Sequence, residues 1–584
     1  MTTLRMSEHM GWTYGNPYAN PLASKLGNYS ESDTKPSVKP KIVEEVSHPV
    51  AQNSLSVAGF VENDQLACGS VHKVWGLVEL RTNKPPTSQP NLSFDFVIIV
   101  DHSESMQNDG KLAYVQATID YLIAKLGKEH RLCLIKFNQQ VTMLTTGLQD
   151  LVPQNKTTIS QSLKEIQPEG TTNISDALFT GLKVLKERPS TEHSRLSFVM
   201  LFTGSSYRNS FQSFSDGIAT DGLRGTSFMT SLKDYTIPSG CTIHTFGYGA
   251  DHDSRTLQKL SLSSLGGVYH FIEAAENIPP TFGECLAGRN PFSFSTDPLP
   301  GILSTAAYNV NVRLVGCDGC RIVQFYTMYG VQELQEVKDY NISFGSLSLE
   351  ETRGLLFKLS LRKMDDYVKQ HNLVKVIVTY TDAFTGLDCK AESFLSAERT
   401  KTEILKPIPV QLDLHINRFT AASAIETAIE KANAKQFDVA QKHLEQVIET
   451  ARNSSSFKNS STGQYIEDLI ADLSLCKSAL SCYEVFVEKG THYSYAFATM
   501  YYMERSTGTR NLLGHSSLVS KGKDQFEDML PCNVKLTETK PPKRSSHYGY
   551  VSFYQEQQRT EASKEVSSFL STYYADGSIL KQQS

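Results

Sequence analysis

The clearest chemical grouping in this 584-residue chain is IIVDHSESM, Ile98 to Met106: an apolar run stops at Asp101, and Ser103 and Ser105 follow at alternate positions. One carboxylate and two hydroxyls on a tight turn are hard oxygen donors, which suit part of the shell of Mg²⁺ or another divalent cation. The same side chains could instead cap the following helix and satisfy loop amides with no metal at all. Other chemistry is poorly represented. The chain has no GxSxG elbow, no GxxxxGK phosphate loop, no GxGxxG in a strand-helix-strand unit and no HExxH. Its histidines are dispersed; His102 stands beside the turn, and DHD at Asp251 to Asp253 reads as a cap for a helix starting near Ser254. An enzyme is not expected.

The turn needs a scaffold, and the apolar periodicity supplies one. FDFVIIV, RLCLIKF, RLSFVMLF and CTIHTFGYG are apolar throughout, as central strands covered on both faces are. Amphipathic stretches of helical length alternate with them: LAYVQATIDYLIAKL, ISDALFTGLKVLKE and SRTLQKLSLSSL. That alternation predicts an α/β unit over residues 94–290, a doubly wound, mostly parallel sheet whose ligand sites lie at the carboxyl ends of the strands, where Asp101 stands. Residues 296–412 read as strands separated by turns and predict an antiparallel β-sandwich, with strands of residues 55–93 pairing into it and the α/β unit either inserted in it or followed by it. Helical spacing returns over residues 413–505 and predicts a helical hairpin or bundle. Residues 1–54 and 506–584 are polar and Pro/Lys-interrupted, a flexible arm and a poorly ordered tail.

Three stretches together resemble a von Willebrand factor type A domain of the intracellular kind: IIVDHSESM, the loop GTTNISDAL, and the strand HTFGYGADHD. The resemblance implies a metal-ion-dependent adhesion site (MIDAS) using the DxSxS residues Asp101, Ser103 and Ser105, a threonine that is Thr172 here, and an aspartate from a third loop. The third loop departs from that pattern. The chain reads FTGSSY, with Gly204 where the family carries the aspartate. A Thr-Asp-Gly at Thr220 to Gly222 lies well beyond the strand end and reads as a coincidental match unless the loop folds back. The sandwich and the helical segment that follow are similar to those of intracellular type A proteins, some of which carry RING or U-box modules and look like ubiquitin ligases. No RING series of cysteines and histidines is present here, so that activity does not transfer.

Composition narrows the partners. A net charge of -5 and a sequence pI near 6.3 give no global bias towards nucleic acid or anionic membrane. KPPKRSSHYGYV is too short a basic stretch to change that. The N-terminus lacks an apolar signal core, no run approaches the roughly 18 apolar residues of a spanning helix, and several cysteines sit inside apolar strands, which together predict a cytoplasmic protein. VGCDGCR has the spacing of half a zinc site, but an Asp-Gly turn between two strands explains it better. The expected function is therefore non-enzymatic binding of a protein partner through an acidic side chain and a Mg²⁺ or other divalent ion held by a partial adhesion site. The alternative is a metal-independent scaffold or adaptor, for example in a ubiquitin-ligase-like assembly. Oligomeric state is not legible.

Overall fold

Every residue of strand β4 (Phe94–Asp101) is buried in the computed structural model, which describes residues 54–82, 92–192, 195–204, 222–223, 225–249, 252–273, 305–348, 351–402, 404 and 406–504. A strand with no polar face belongs in the middle of a sheet covered on both sides. The strand order is β10 (Tyr269–Ile272), β9 (Cys241–Tyr248), β8 (Leu196–Thr203), β4, β5 (Arg131–Phe137) and β6 (Val141–Met143), with β7 (Gln149–Asp150) also on β5. The pairs are parallel, apart from β6 and β7 at one edge. Alternate residues of β4 then face opposite layers. Phe96, Ile98 and Val100 pack on α1 (Lys111–Lys125) and α2 (Pro153–Lys164), whereas Val97 and Ile99 pack on α3 (Ile174–Lys186), α4 (Gly225–Asp234) and α5 (Ser254–Leu262).

At the amino end of β4, Asp95 binds three arginines: Arg131 at 2.8 and 2.9 Å, Arg188 at 2.8 Å and Arg195 at 2.9 Å. Burial would raise this carboxyl, but the guanidinium groups hold it below its ordinary range. The knot fixes β4, β5 and β8 in register from below.

The sandwich is built from two distant segments. β3 (His72–Thr82) pairs antiparallel with β15 (Thr352–Leu361) along its full length, so the α/β unit is inserted between strands of one sheet, β1 (Leu55–Val61), β3, β15 and β12 (Cys320–Tyr326). The facing sheet runs β13 (Val331–Gln335), β14 (Asp339–Ser348), β11 (Thr305–Gly316), β16 (Val368–Asp382), β17 (Asp388–Thr400) and β2 (Gln65–Ala67). The CDGC stretch forms the turn between β11 and β12, with Gly319 at φ +78° and both cysteines as free thiols.

Helices α6 (Val410–Asn433), α7 (Phe437–Asn453), α8 (Gly463–Ala479) and α9 (Thr491–Met503) follow. All of α9 but its first residue, Thr491, is buried, which suits a helix that other elements cover around its whole circumference. It lies against α6, α5 and β10, so the helical unit shares one continuous apolar core with a face of the α/β sheet. The expected N-terminal arm up to residue 53 and the tail from residue 506 lie outside the described residues.

Glu504 ends α9 in a left-handed conformation and joins the helical unit to the sandwich. Its carboxylate takes Arg418 of α6 at 2.6 Å, His415 of α6 at 3.4 Å, and the Gly354 amide of β15 at 3.0 Å, while its carbonyl accepts from Arg353 at 2.7 Å. Gly354 is needed there because a Cβ would stand 2.0 Å from the His415 ring. Burial favours the protonated form of Glu504, yet Arg418, His415 and Arg353 together hold the carboxyl below its usual value. The stabilisation is therefore present above the unfolded-state pKa and is lost as pH falls through the lower folded one. Removing one partner of such a buried cluster strands the others, so Glu504→Ala should cost about 3–5 kcal/mol in urea unfolding at neutral pH.

A second carboxylate behaves oppositely. Glu426 of α6 lies against α5 and accepts from the Tyr502 hydroxyl at 2.9 Å, and burial pushes its pKa up to about 7 from 4.5. The folded chain holds that proton between the two values and the unfolded chain does not, so this contribution to stability falls as pH rises through the window. Glu426→Gln should gain roughly 2–3 kcal/mol at pH 8 and almost nothing at pH 4, read from paired denaturation curves.

Candidate metal and partner site

Strand β4 delivers Asp101 to the carboxyl end of the sheet, between the ends of β5 and β8, wholly buried. Its Oδ1 accepts the Ser103 amide at 2.8 Å, closing an Asx turn. Its Oδ2 accepts the Thr203 hydroxyl at 2.5 Å. The Ser103 and Ser105 hydroxyls lie 3.0 Å apart on the same turn, 2% and 7% exposed, so the small DxSxS spacing does converge three oxygen-bearing side chains. Glu104, between them, is exposed.

The second loop is stitched to the first through its backbone. The Glu104 amide donates to the Gly170 carbonyl at 3.1 Å and the Glu169 amide to the His102 carbonyl at 2.7 Å. Asn138, beyond β5, ties in the same loop: its side-chain amide donates to Glu169 at 3.1 Å, and its carbonyl accepts from Asn173 at 2.8 Å. Thr172 is held buried between these contacts. Asn173 then caps α3, accepting from the Asp176 amide at 3.2 Å.

Gly204 occupies the end of β8 where an aspartate was expected from the resemblance, and its surroundings are tight. A Cβ there would stand 3.0 Å from the Met106 sulfur, 3.1 Å from the Tyr248 Cβ and 3.2 Å from the Tyr248 carbonyl. The residue before it, Thr203, was not singled out by the sequence reading. Its hydroxyl on Asp101 is a contact that only the side-by-side alignment of β4 and β8 creates. Of the Thr-Asp-Gly at 220–222 only Gly222 is among the described residues; at φ +76° it lies so close to α3 that a Cβ would stand 2.1 Å from Asn173 Oδ1. The following Leu223 amide donates to Ser175 Oγ at 2.9 Å. Asp221 lies outside the described residues.

Chemically, the cluster offers one carboxylate and the hydroxyls of Ser103, Ser105 and Thr172. Burial pushes the Asp101 carboxyl up, against the hydrogen bonds from Thr203 and Ser103 that favour its ionised form. Its ionisation is therefore favoured by a nearby positive charge. No group of three or more His, Cys, Asp or Glu side chains placed to hold a metal occurs among the described residues. The donors fit a hard cation only as a partial shell, rich in neutral oxygens. His102 is turned away; its Nδ1 donates to the Gln167 carbonyl at 2.9 Å, and burial lowers its pKa. Asp253 caps α5, accepting from the Thr256 amide at 3.1 Å.

Residues 96–206 match the family model of the von Willebrand factor type A domain. Among solved structures, the chain is similar to a von Willebrand factor type A protein from Catenulispora acidiphila, at 14% identity and a TM-score of 0.53 over 72% of this chain and 89% of that one. It is also similar to the ArnB paralog VWA2 from Sulfolobus acidocaldarius, at 14% identity and a TM-score of 0.48 over 78% of this chain and 99% of that one. No curated protein sequence matches the chain significantly. At that identity the likeness to the Catenulispora acidiphila protein shows the fold alone.

The crowding at Gly204 has a measurable consequence. Gly204→Asp should lower stability by about 1–3 kcal/mol, as overpacking does, and Gly204→Ala should move the thermal midpoint the same way by less. Unchanged midpoints for both would mean that Met106 and Tyr248 yield freely.

Proposed function

We propose that this chain, which carries a von Willebrand factor type A domain, is a non-enzymatic cytoplasmic protein that binds another protein through the carboxyl end of that domain's sheet. Type A domains typically mediate protein-protein interaction, and the observation that carries the reading here is the buried Asp101 with the Ser103 and Ser105 hydroxyls beside it. Asp101, Ser103, Ser105 and Thr172 would hold a divalent cation, Mg²⁺ being the hard ion that such oxygens suit. The bound ion would supply an electrophilic centre for a carboxylate on the partner. With one charged ligand of its own, the site leaves the ion with much of its charge, so the partner's carboxylate contributes a large share of the binding. The described cysteines are all free thiols, which supports the placement in a reducing compartment.

The crowded Gly204 favours a second reading, a scaffold or adaptor that binds without metal through its sandwich and helical surfaces, for example in a ubiquitin-ligase-like assembly. Calorimetric titration separates the two. A cation must displace the proton that burial favours on Asp101, so Mg²⁺ affinity should rise with pH, and Asp101→Asn should abolish it. Ser103→Ala combined with Ser105→Ala should weaken both Mg²⁺ binding and EDTA-sensitive capture of the partner at least about 10-fold. Partner capture that ignores EDTA and the double substitution leaves the adaptor reading.

A further inference from the structure

Arg399, next to last in β17, is 0% exposed. A guanidinium keeps its charge at any pH a folded protein meets, and a buried charge needs a counter-charge. Its Nη2 donates to the Arg362 carbonyl at 3.0 Å, which satisfies a donor and neutralises nothing. Nε and Nη1 have no hydrogen-bond partner among the described residues. The acidic groups that act on it are two thiols, those of Cys68 and Cys320, and no carboxylate among the described residues takes that role.

The surroundings deepen the imbalance. Arg362 packs against the Cys317–Cys320 turn, 2.8 Å from where a Cβ of Gly319 would be. His371 approaches the same turn, its Nε2 3.2 Å from the Asp318 carbonyl, while its buried Nδ1 has no partner among the described residues. Three side chains that carry or can carry positive charge thus meet at one end of the sandwich.

The two thiols are not equivalent. Cys320 is 3% exposed, and burial pushes its pKa up to about 12 despite Arg399 and Arg362. Cys68 directly follows β2, and its amide donates to the Thr400 carbonyl at 2.8 Å, which fixes it beside Arg399. Its thiol donates to the Asp366 carbonyl at 3.0 Å. The chain surfaces immediately afterwards, with Gly69 and Ser70 exposed and Val71 67% exposed, so a small oxidant has a short path to this sulfur.

We propose that Cys68 is an oxidation site of this protein, and that its sulfinate form supplies the anion Arg399 lacks. Hydrogen peroxide is the oxidant. In the first step the O–O bond breaks and an S–O bond forms; the sulfur loses two electrons, and the thiol proton leaves with the displaced hydroxide as water. A second peroxide adds a second oxygen in the same way, and the sulfinic acid releases its proton to solvent. The sulfinate oxygens then face the guanidinium as a charge-assisted pair.

The test treats the full chain with hydrogen peroxide and follows each cysteine by peptide mass mapping. Cys68 should gain two oxygens at least about 10-fold faster in the wild type than in Arg399→Met, with Arg399→Lys keeping most of the wild-type rate. Cys482, half-buried, should oxidise equally in all three. A Cys68 that stays reduced while Cys482 oxidises, or that oxidises equally in Arg399→Met, overturns the proposal. If Arg399→Met does not fold, the melting of the wild-type chain decides: a paired sulfinate leaves the midpoint unchanged or raised, and a fall after oxidation of Cys68 overturns the pairing.

Discussion

Glu504 is the constraint on which the docking of the helices against the sandwich rests. A carboxylate 2% exposed can stay ionised only among fixed positive groups and donors, and here those come from the sandwich, Arg353 and the Gly354 amide, and from a second helix of its own unit, His415 and Arg418 of α6. Arg353 also pairs with Glu351, but Arg418 and the Gly354 amide meet this carboxylate only when α9 ends at this place. Because α9 is buried along its whole length against α5, β10 and α6, fixing its end also fixes the helical unit on the type A domain. The net contribution of such a cluster is small against an apolar alternative, but its cost when mismatched is large. It selects one relative placement of the units more than it adds stability.

That placement leaves one end of the type A sheet for binding. The amino end is occupied by the knot of Asp95 with Arg131, Arg188 and Arg195. At the carboxyl end the strands stop and the loops take over, held by backbone hydrogen bonds between residues 102–104 and 169–170. Those bonds make the donor cluster a property of the sheet's geometry, which stays set when no ligand is bound. Gly204 then decides its charge. The end of β8 is crowded and carries Gly204, so Asp101 is the only carboxylate in the candidate set and takes a hydroxyl, Thr203, as its neighbour.

Much of the fold was readable from periodicity. Strands such as FVIIV and SFVMLF had no polar face to show water, and only a doubly covered sheet accommodates them. DxSxS at the end of one of them placed Asp101, Ser103 and Ser105 together, since residues two apart on a tight turn share one side. The contact of Thr203 with Asp101 was not readable, because it joins residues 102 positions apart through lateral strand pairing. The return of Gly222 to α3 was hidden for the same reason: the intervening segment carries no period that says where it goes.

Local pattern therefore determined the elements, their order and the half of the site carried on a single turn, while the insertion of one unit in another rests on the distant pairing of β3 with β15. These depend on neighbours in sequence, where spacing translates directly into geometry. The tertiary structure decided the rest: which hydroxyl meets Asp101, why a side chain at position 204 is crowded, how Glu504 joins the helices to the sandwich, and that Arg399 is buried beside thiols with no carboxylate acting on it among the described residues. Each depends on the charge and volume of groups far apart in the chain, and burial sets the energetic weight of those groups only once the layers have closed around them.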